Sequence, residues 1–180
     1  MKSYNHLVLS LLLLAGVTQA DAQELHGVTA TEIKIGQSMP YSGPGSHYST
    51  IARANEAYFQ MINDAGGING RKIKLISLDD AYSPPKTFEQ TRKLVEQEDV
   101  LLIFDTLGTA TNAAIQKYLN TKKVPQLFPT TGATRFADPK NFPWTMGWQP
   151  NYQLEGHAFG SYILENHPNA KIAILYQNDD

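Results

Sequence analysis

Ile33-Lys34-Ile35-Gly36-Gln37-Ser38 is a short β-branched run, and the loop and helix beyond it decide the fold. Pro40-Tyr41-Ser42-Gly43-Pro44-Gly45-Ser46 forbids any regular element, because proline and glycine interrupt both helix and strand. Beyond that loop Ile51, Ala54, Tyr58, Met61, Ile62 and Ala65 recur at spacings of three and four, which predicts a helix whose apolar stripe packs on a sheet. Gly66-Gly67 should stop it, and Asn69-Gly70 should turn the chain into a second strand over residues 72–78. A strand, a helix and a strand in that order make a right-handed βαβ unit and a parallel sheet.

The same rhythm extends along the chain. Ser83-Pro84 reads as a side-chain cap followed by a first-turn proline, with Phe88, Thr91, Leu94 and Val95 as the inner face of the helix. Residues 100–104, Val-Leu-Leu-Ile-Phe, are so uniformly apolar that they predict a central strand covered on both faces by helices. Gly108-Thr109 opens a third helix reaching Asn120, and residues 124–128 supply a fourth strand. After a looser stretch, 130–150, come a fourth helix over 152–166 and a fifth strand over 171–176. A strand in mid-winding needs a helix after it to cover its faces, so the chain is expected to be a piece of a longer protein.

The beginning of the chain bears on location. Lys2 precedes an apolar run over residues 7–17, and Ala20-Asp21-Ala22 forms a small-x-small cleavage site, so residues 1–22 read as an export signal and the mature chain would start at Gln23. The apolar run is short of the ~20 residues a membrane span requires. The chain is 42% hydrophobic and 18% charged with a net charge of −2, which suits a globular core and gives no basis for binding nucleic acid or an anionic membrane. It contains no cysteine, which excludes disulfides, thiolate catalysis and a lipid-bearing cysteine after the signal, and the expected location is the periplasm.

In open parallel sheets ligands collect at the carboxyl ends of the strands. Three loops have a fitting composition: 41–48, 105–112 and 129–134. The second and third carry Thr106, Gly108, Thr109, Thr111, Thr130, Thr131, Gly132 and Thr134 but no lysine or arginine. Such loops offer hydroxyl and N–H donors to an anion, and a carboxylate at a helix N-terminus is the expected fit. Thr109 reads equally as a plain helix cap, Gly132 and Thr134 as turn residues, and Tyr48 as an aromatic packed on the sheet.

Enzyme signatures are weak. Neither G-x-G-x-x-G after the first strand nor G-x-x-x-x-G-K is present, so dinucleotide and nucleoside triphosphate binding lack their phosphate cradle. Asp79-Asp80 suits either a hard metal ion or a solvated strand end beside a helix start. His47, His157 and His167 lack zinc-ligand spacing, and Ser42 and Ser46 lack a nucleophile elbow. The expectation is a protein without catalysis, metal or cofactor.

From Glu32 to its end the chain resembles the solute-binding proteins of branched-chain amino-acid type ABC importers. The resemblance rests on Ile35-Gly36-Gln37-Ser38-Met39-Pro40 with Ser42-Gly43-Pro44, on Ile62-Asn63-Asp64-Ala65-Gly66-Gly67-Ile68-Asn69-Gly70-Arg71, and on Leu78-Asp79-Asp80. It continues through Leu107-Gly108-Thr109, Thr131-Gly132-Ala133-Thr134 and Ile172-Ala173-Ile174-Leu175-Tyr176. It implies a three-layer α/β lobe of a two-lobe type 1 periplasmic binding fold that closes on a ligand, with the second lobe largely missing. Residues 23–149 would be the first lobe, and 150–180 the crossover and the start of the second.

By the same resemblance, the residue matching Thr109 holds the ligand carboxylate, the Gly132 carbonyl and Thr134 help hold the head group, and Tyr48 covers the ligand. With Gly108 and Thr131 these form the candidate substrate-binding set. The implied partners are a small carboxylate-bearing solute, an amino acid or an aromatic acid, and an inner-membrane ABC permease, the full-length protein being monomeric. The acidic residue that receives a ligand ammonium in the family would lie in the second lobe. The competing readings are the ligand-sensing ectodomain of a receptor or kinase and, behind it, a metal-dependent hydrolase built on Asp79-Asp80.

Overall fold

The computed structural model describes residues 25–179, so the export signal lies outside the described residues. Strands β1 (Glu32–Met39) and β2 (Lys72–Asp79) run parallel in full register from Glu32↔Lys72 to Met39↔Asp79, joined by helix α1 (Ser49–Asp64). Helix α2 (Pro84–Glu96), strand β3 (Leu102–Phe104), helix α3 (Thr109–Lys122) and strand β4 (Gln126–Leu127) continue the winding. Strand β5 (Thr145–Met146) completes a parallel sheet of order β2-β1-β3-β4-β5, and helix α4 (Tyr152–Asn166) comes after it. This is the α/β lobe with β3 at its centre. Among the described residues no helix is long and apolar enough to cross a membrane.

The turn signals act as their chemistry requires. Gly67 sits at φ 77°, and a Cβ there would lie 2.0 Å from the Arg71 carbonyl oxygen, so only glycine allows the chain to double back. Asn69 and Gly70 both take positive φ, and Ile68 and Arg71 exchange backbone hydrogen bonds of 2.8 and 3.0 Å across them.

Two helices cover one face of the sheet. Leu94 of α2, Ile115 and Leu119 of α3, Ile103 of β3 and Val100 form a core that excludes water almost completely. Each such side chain stabilises the fold by roughly 1.5–3 kcal/mol of hydrophobic burial. The opposite face carries α1, where Met39, Ala52 and Leu107 are buried and the Phe59 ring meets Phe104 at 5.6 Å.

Several expectations need correction. Of the expected α1 stripe, Ile51 and Ile62 are partly buried against the fold, whereas Ala54, Tyr58, Met61 and Ala65 point to solvent, and Ala52, Asn55 and Phe59 complete the inner face instead. Leu102 and Phe104 are only half-buried, since a single helix covers their side of the sheet. Ser83 precedes α2 but makes no side-chain cap, and Phe88 lies at the surface against Tyr118. The fourth strand shrinks to two residues. The looser stretch 130–150 supplies β5, while residues 171–176 form no strand: Leu175 is fully exposed and the segment has no neighbour to complete a ladder.

Candidate functional site

The carboxyl ends of β1 to β4 open onto one rim, and α3 begins there. Gly108 is the residue ahead of the helix, at φ 97° and ψ 154°, and no side chain caps the helix. The alternative reading of Thr109 as a cap is therefore set aside: it is the first helical residue. Its buried hydroxyl lies 2.6 Å from that of Thr131, 22 positions further on. The loop carbonyls are already taken. Thr111 donates to the carbonyls of Leu107 and Gly108, and the Asn112 amide donates to those of Thr106 and Gly108 at 2.6 and 2.7 Å. With those acceptors satisfied, the helix start presents its first N–H groups and the one hydroxyl proton of the Thr109–Thr131 pair that is not spent between the two, a donor array suited to an anion.

Thr131, Gly132 and Thr134 line an open cleft of about 370 Å³ together with Trp148, Asn151 and Leu154. The Gly132 carbonyl accepts the Tyr152 N–H at 2.9 Å, so one of its lone pairs is occupied. Thr134 is exposed and starts a short 3-10 turn, Thr134–Ala137. Beneath the rim, Asp105 is buried and positions Thr130: its carboxylate accepts the Thr130 hydroxyl and, at 2.6 Å, the Asn55 amide. Burial pushes the Asp105 pKa up, against the lowering effect of those two donors.

Tyr48 ends a 3-10 turn, Ser46–Tyr48, about half exposed with its ring 4.2 Å from that of His47. Tyr48, Gly108 and Thr109 do not line the cleft of Thr131 and Thr134, and Thr109 reaches it only through its contact with Thr131. The Tyr82 ring lies on Gly108, where a Cβ would fall 2.5 Å from it, and the Tyr152 ring lies on Gly132 in the same manner, 2.6 Å from its would-be Cβ. Burial raises the Tyr82 pKa, and the nearby phenols of Tyr152 and Tyr48 and the Asp179 carboxylate add to that rise. Its hydroxyl donates to Gln177 Oε1 at 3.2 Å. Tyr82, Tyr152 and Gln177 lie outside the set that the sequence suggests. The positive φ that seats Tyr82, 59°, leaves no mark in the sequence.

The rim loop is pinned by Asp79. Its carboxylate accepts the N–H groups of Tyr41, Ser42 and Ala81, the Ser42 hydroxyl at 2.6 Å and the Lys86 ammonium at 3.0 Å. Burial alone would raise its pKa; these donors outweigh it and hold the group well below the usual carboxylate range. Asp80 is fully buried and accepts from Tyr82 N–H and the Thr87 hydroxyl, its pKa raised by that burial. Both carboxylates thus serve protein donors, and no cluster of three metal-ligating side chains occurs among the described residues.

Residues 32–180 match the family model described as periplasmic binding protein. The chain belongs to that family. Among its relatives is the Leu/Ile/Val-binding protein homolog 1 of Brucella abortus, 28% identical over 166 residues, 91% of this chain and 44% of the relative. An amino acid binding protein of Pseudomonas aeruginosa is 33% identical over 82% of this chain and 40% of its own length. The solved periplasmic binding protein type 1 of Bordetella pertussis superposes with a TM-score of 0.66 at 23% identity, over 75% of this chain and 38% of that one, which shows the fold. This periplasmic binding protein chain thus spans less than half the length of the relatives it matches. Those relatives bear the names of solute-binding proteins rather than enzymes.

Proposed function

We propose that the chain is the ligand-capturing part of an extracytoplasmic solute-binding protein that delivers a small carboxylate-bearing solute to an ABC permease. Residues 1–22 direct export, 23–149 form the first lobe, and 150–180 are the crossover and the start of a second lobe. The observation that carries the reading is the Thr109–Thr131 hydroxyl pair, 2.6 Å apart at the uncapped start of α3 beside an open cleft. A ligand carboxylate set there gains charge-assisted hydrogen bonds without an opposing ion. Thr131, Gly132 and Thr134 line the cleft, Gly108 lies against Tyr82, and Tyr48 is assigned to cover the ligand. The names of the relatives, Leu/Ile/Val-binding and amino acid binding, put amino acids within the ligand class to be tested.

Thr109→Val removes one donor while keeping the volume. In calorimetry on the protein in the longest form its gene encodes, this substitution is expected to weaken carboxylate binding by about 1–3 kcal/mol. Unchanged affinity would remove Thr109 from the site.

A further inference from the structure

Asp105 is the only charged residue in the two donor-rich loops, 105–112 and 129–134. It follows the last residue of β3 at φ 54°, an uncommon value for a residue with a Cβ. Side chains alternate along a strand. The break in backbone geometry lets Asp105 follow Phe104 onto the α1 side of the sheet, where Phe59 meets Phe104 and Asn55, one turn earlier in α1, donates to the Asp105 carboxylate at 2.6 Å. The other carboxylate oxygen accepts the Thr130 hydroxyl, and Thr130 precedes Thr131, whose own hydroxyl lies 2.6 Å from that of Thr109. The carboxylate thus stands one residue behind the hydroxyl pair at the start of α3.

Among the described residues no cation contacts it. The groups that face it are neutral: Asn55 from α1, Gln37 from β1, whose amide donates to the Asp105 carbonyl at 3.4 Å, and Thr130 from the loop after β4. The charged residues of α1, Arg53, Glu56 and Asp64, are exposed, Glu32 and Lys34 lie at the opposite end of β1, and Lys117 and Lys122 belong to the later turns of α3. Arg135, beyond the second loop, donates to Gln116 of α3. Asp80, the other deeply buried carboxylate, lies in the turn after β2 and accepts from the Tyr82 N–H and the Thr87 hydroxyl. Asparagine tolerates the same backbone angle, and its carbonyl would accept the same hydroxyl, so packing alone gives no need of a charge at this position. Because Asp105 is buried, water screens it little, and a ligand carboxylate at the threonines is repelled by its ionised form and not by its protonated one. Burial already favours the protonated form. Resting on the carboxylate-binding reading above, we propose that Asp105 is a proton-binding site coupled to the ligand site, taking up a proton as a carboxylate settles at the start of α3. By reciprocity, acid tightens ligand binding and bound ligand raises the proton affinity of Asp105.

The test is calorimetry on the protein in the longest form its gene encodes, with L-leucine and benzoate as probes, whose carboxylates stay ionised over the range used. Titrations at about pH 7.5 and about pH 5, each in buffers of different ionisation enthalpy, count the protons taken up on binding. A probe that binds should do so about threefold or more tightly at the acid end, with net proton uptake. Asp105→Asn, neutral throughout, should bind more tightly than the unsubstituted protein at about pH 7.5, lose the pH dependence and take up no proton. A flat profile without uptake in the unsubstituted protein overturns the coupling and leaves the carboxylate site standing, and so does uptake that persists in Asp105→Asn. Failure of both probes to bind overturns the carboxylate site and the coupling together. If Asp105→Asn does not fold, carboxyl NMR of the unsubstituted protein decides: bound probe should move the Asp105 titration to higher pH, and an unmoved titration overturns the proposal.

Discussion

Helices α3 and α4 are nearly equal in length, 14 and 15 residues, yet α3 buries six side chains and α4 buries none. The local chemistry of α4 is the better of the two: Asn151 caps it, its side chain accepting the Leu154 N–H at 2.8 Å, whereas α3 starts at an uncapped glycine. A cap and helix-forming residues favour the winding of a helix. They do not supply a surface to bury it against. Helix α3 packs beside α2 on the same face of the sheet, and Ile115 and Leu119 find Leu94 and Ile103 there. Along α4, Phe159, Tyr162 and Leu164 face solvent, and the apolar run of residues 172–175 beyond it is exposed as well. The rim of the candidate site lies where these two regions meet, at Tyr152 and Gln177 on one side and Gly108 and Thr131 on the other.

The contrast yields measurements of decreasing size. Leu119→Ala leaves a cavity in a fully buried position and should cost about 2–5 kcal/mol in urea denaturation, while Leu164→Ala, at 73% exposure, should fall within about 0.5 kcal/mol. Equal losses at the two positions would show that α4 is packed in solution and would erase the contrast.

The next effect is electrostatic and lies on the α3 side of the rim. Asp79 has its folded pKa held below the ordinary value of 3.8, so its contribution is fully present above that value and is lost as pH falls through the folded one. Asp105, pushed upward by burial, has the opposite slope. Asp79→Asn should therefore lose less stability than the unsubstituted chain when denaturation is compared at about pH 5 and about pH 3. An identical loss would mean that the loop of Tyr41 and Ser42 is not anchored through this carboxylate.

Least in global terms is Asn151→Ala. Loss of a cap costs a helix about 1 kcal/mol, and because α4 is not part of the cooperative core, the melting temperature should stay put while amide exchange within α4 speeds up. A lowered melting temperature would tie α4 to the core.

Much of the sheet is legible in the chain because strand and helix periods are written locally. The run 33–38 and its partner 72–78 pair as expected, and the Gly66-Gly67 stop and Asn69-Gly70 turn arise from backbone freedom at those residues. The expected stripe of α1 is right at Ile51 and Ile62 but wrong at Tyr58 and Met61, since aromatic and apolar residues occur on both sides of the helix and only its docking puts Phe59 inside and Tyr58 outside. Residues 171–176 have strand composition but no ladder, while Thr145 and Met146 pair with Gln126 and Leu127 from a stretch with no strand signature. In the candidate site, the hydroxyl-rich loops can be found from composition. Tyr82 cannot, because its relation to Gly108 spans 26 positions and depends on a positive φ.

By itself, then, the sequence determined the order of elements, the breaks between them and the donor-rich character of the loops, since each of these stems from the dihedral and hydrogen-bonding preferences of adjacent residues. Only the tertiary structure decided that the Thr109 hydroxyl meets that of Thr131 rather than capping its own helix, and that tyrosines from separate elements rest on Gly108 and Gly132. Those contacts join residues far apart in the chain, and parallel strands bring them to one rim by aligning their carboxyl ends on the same edge of the sheet.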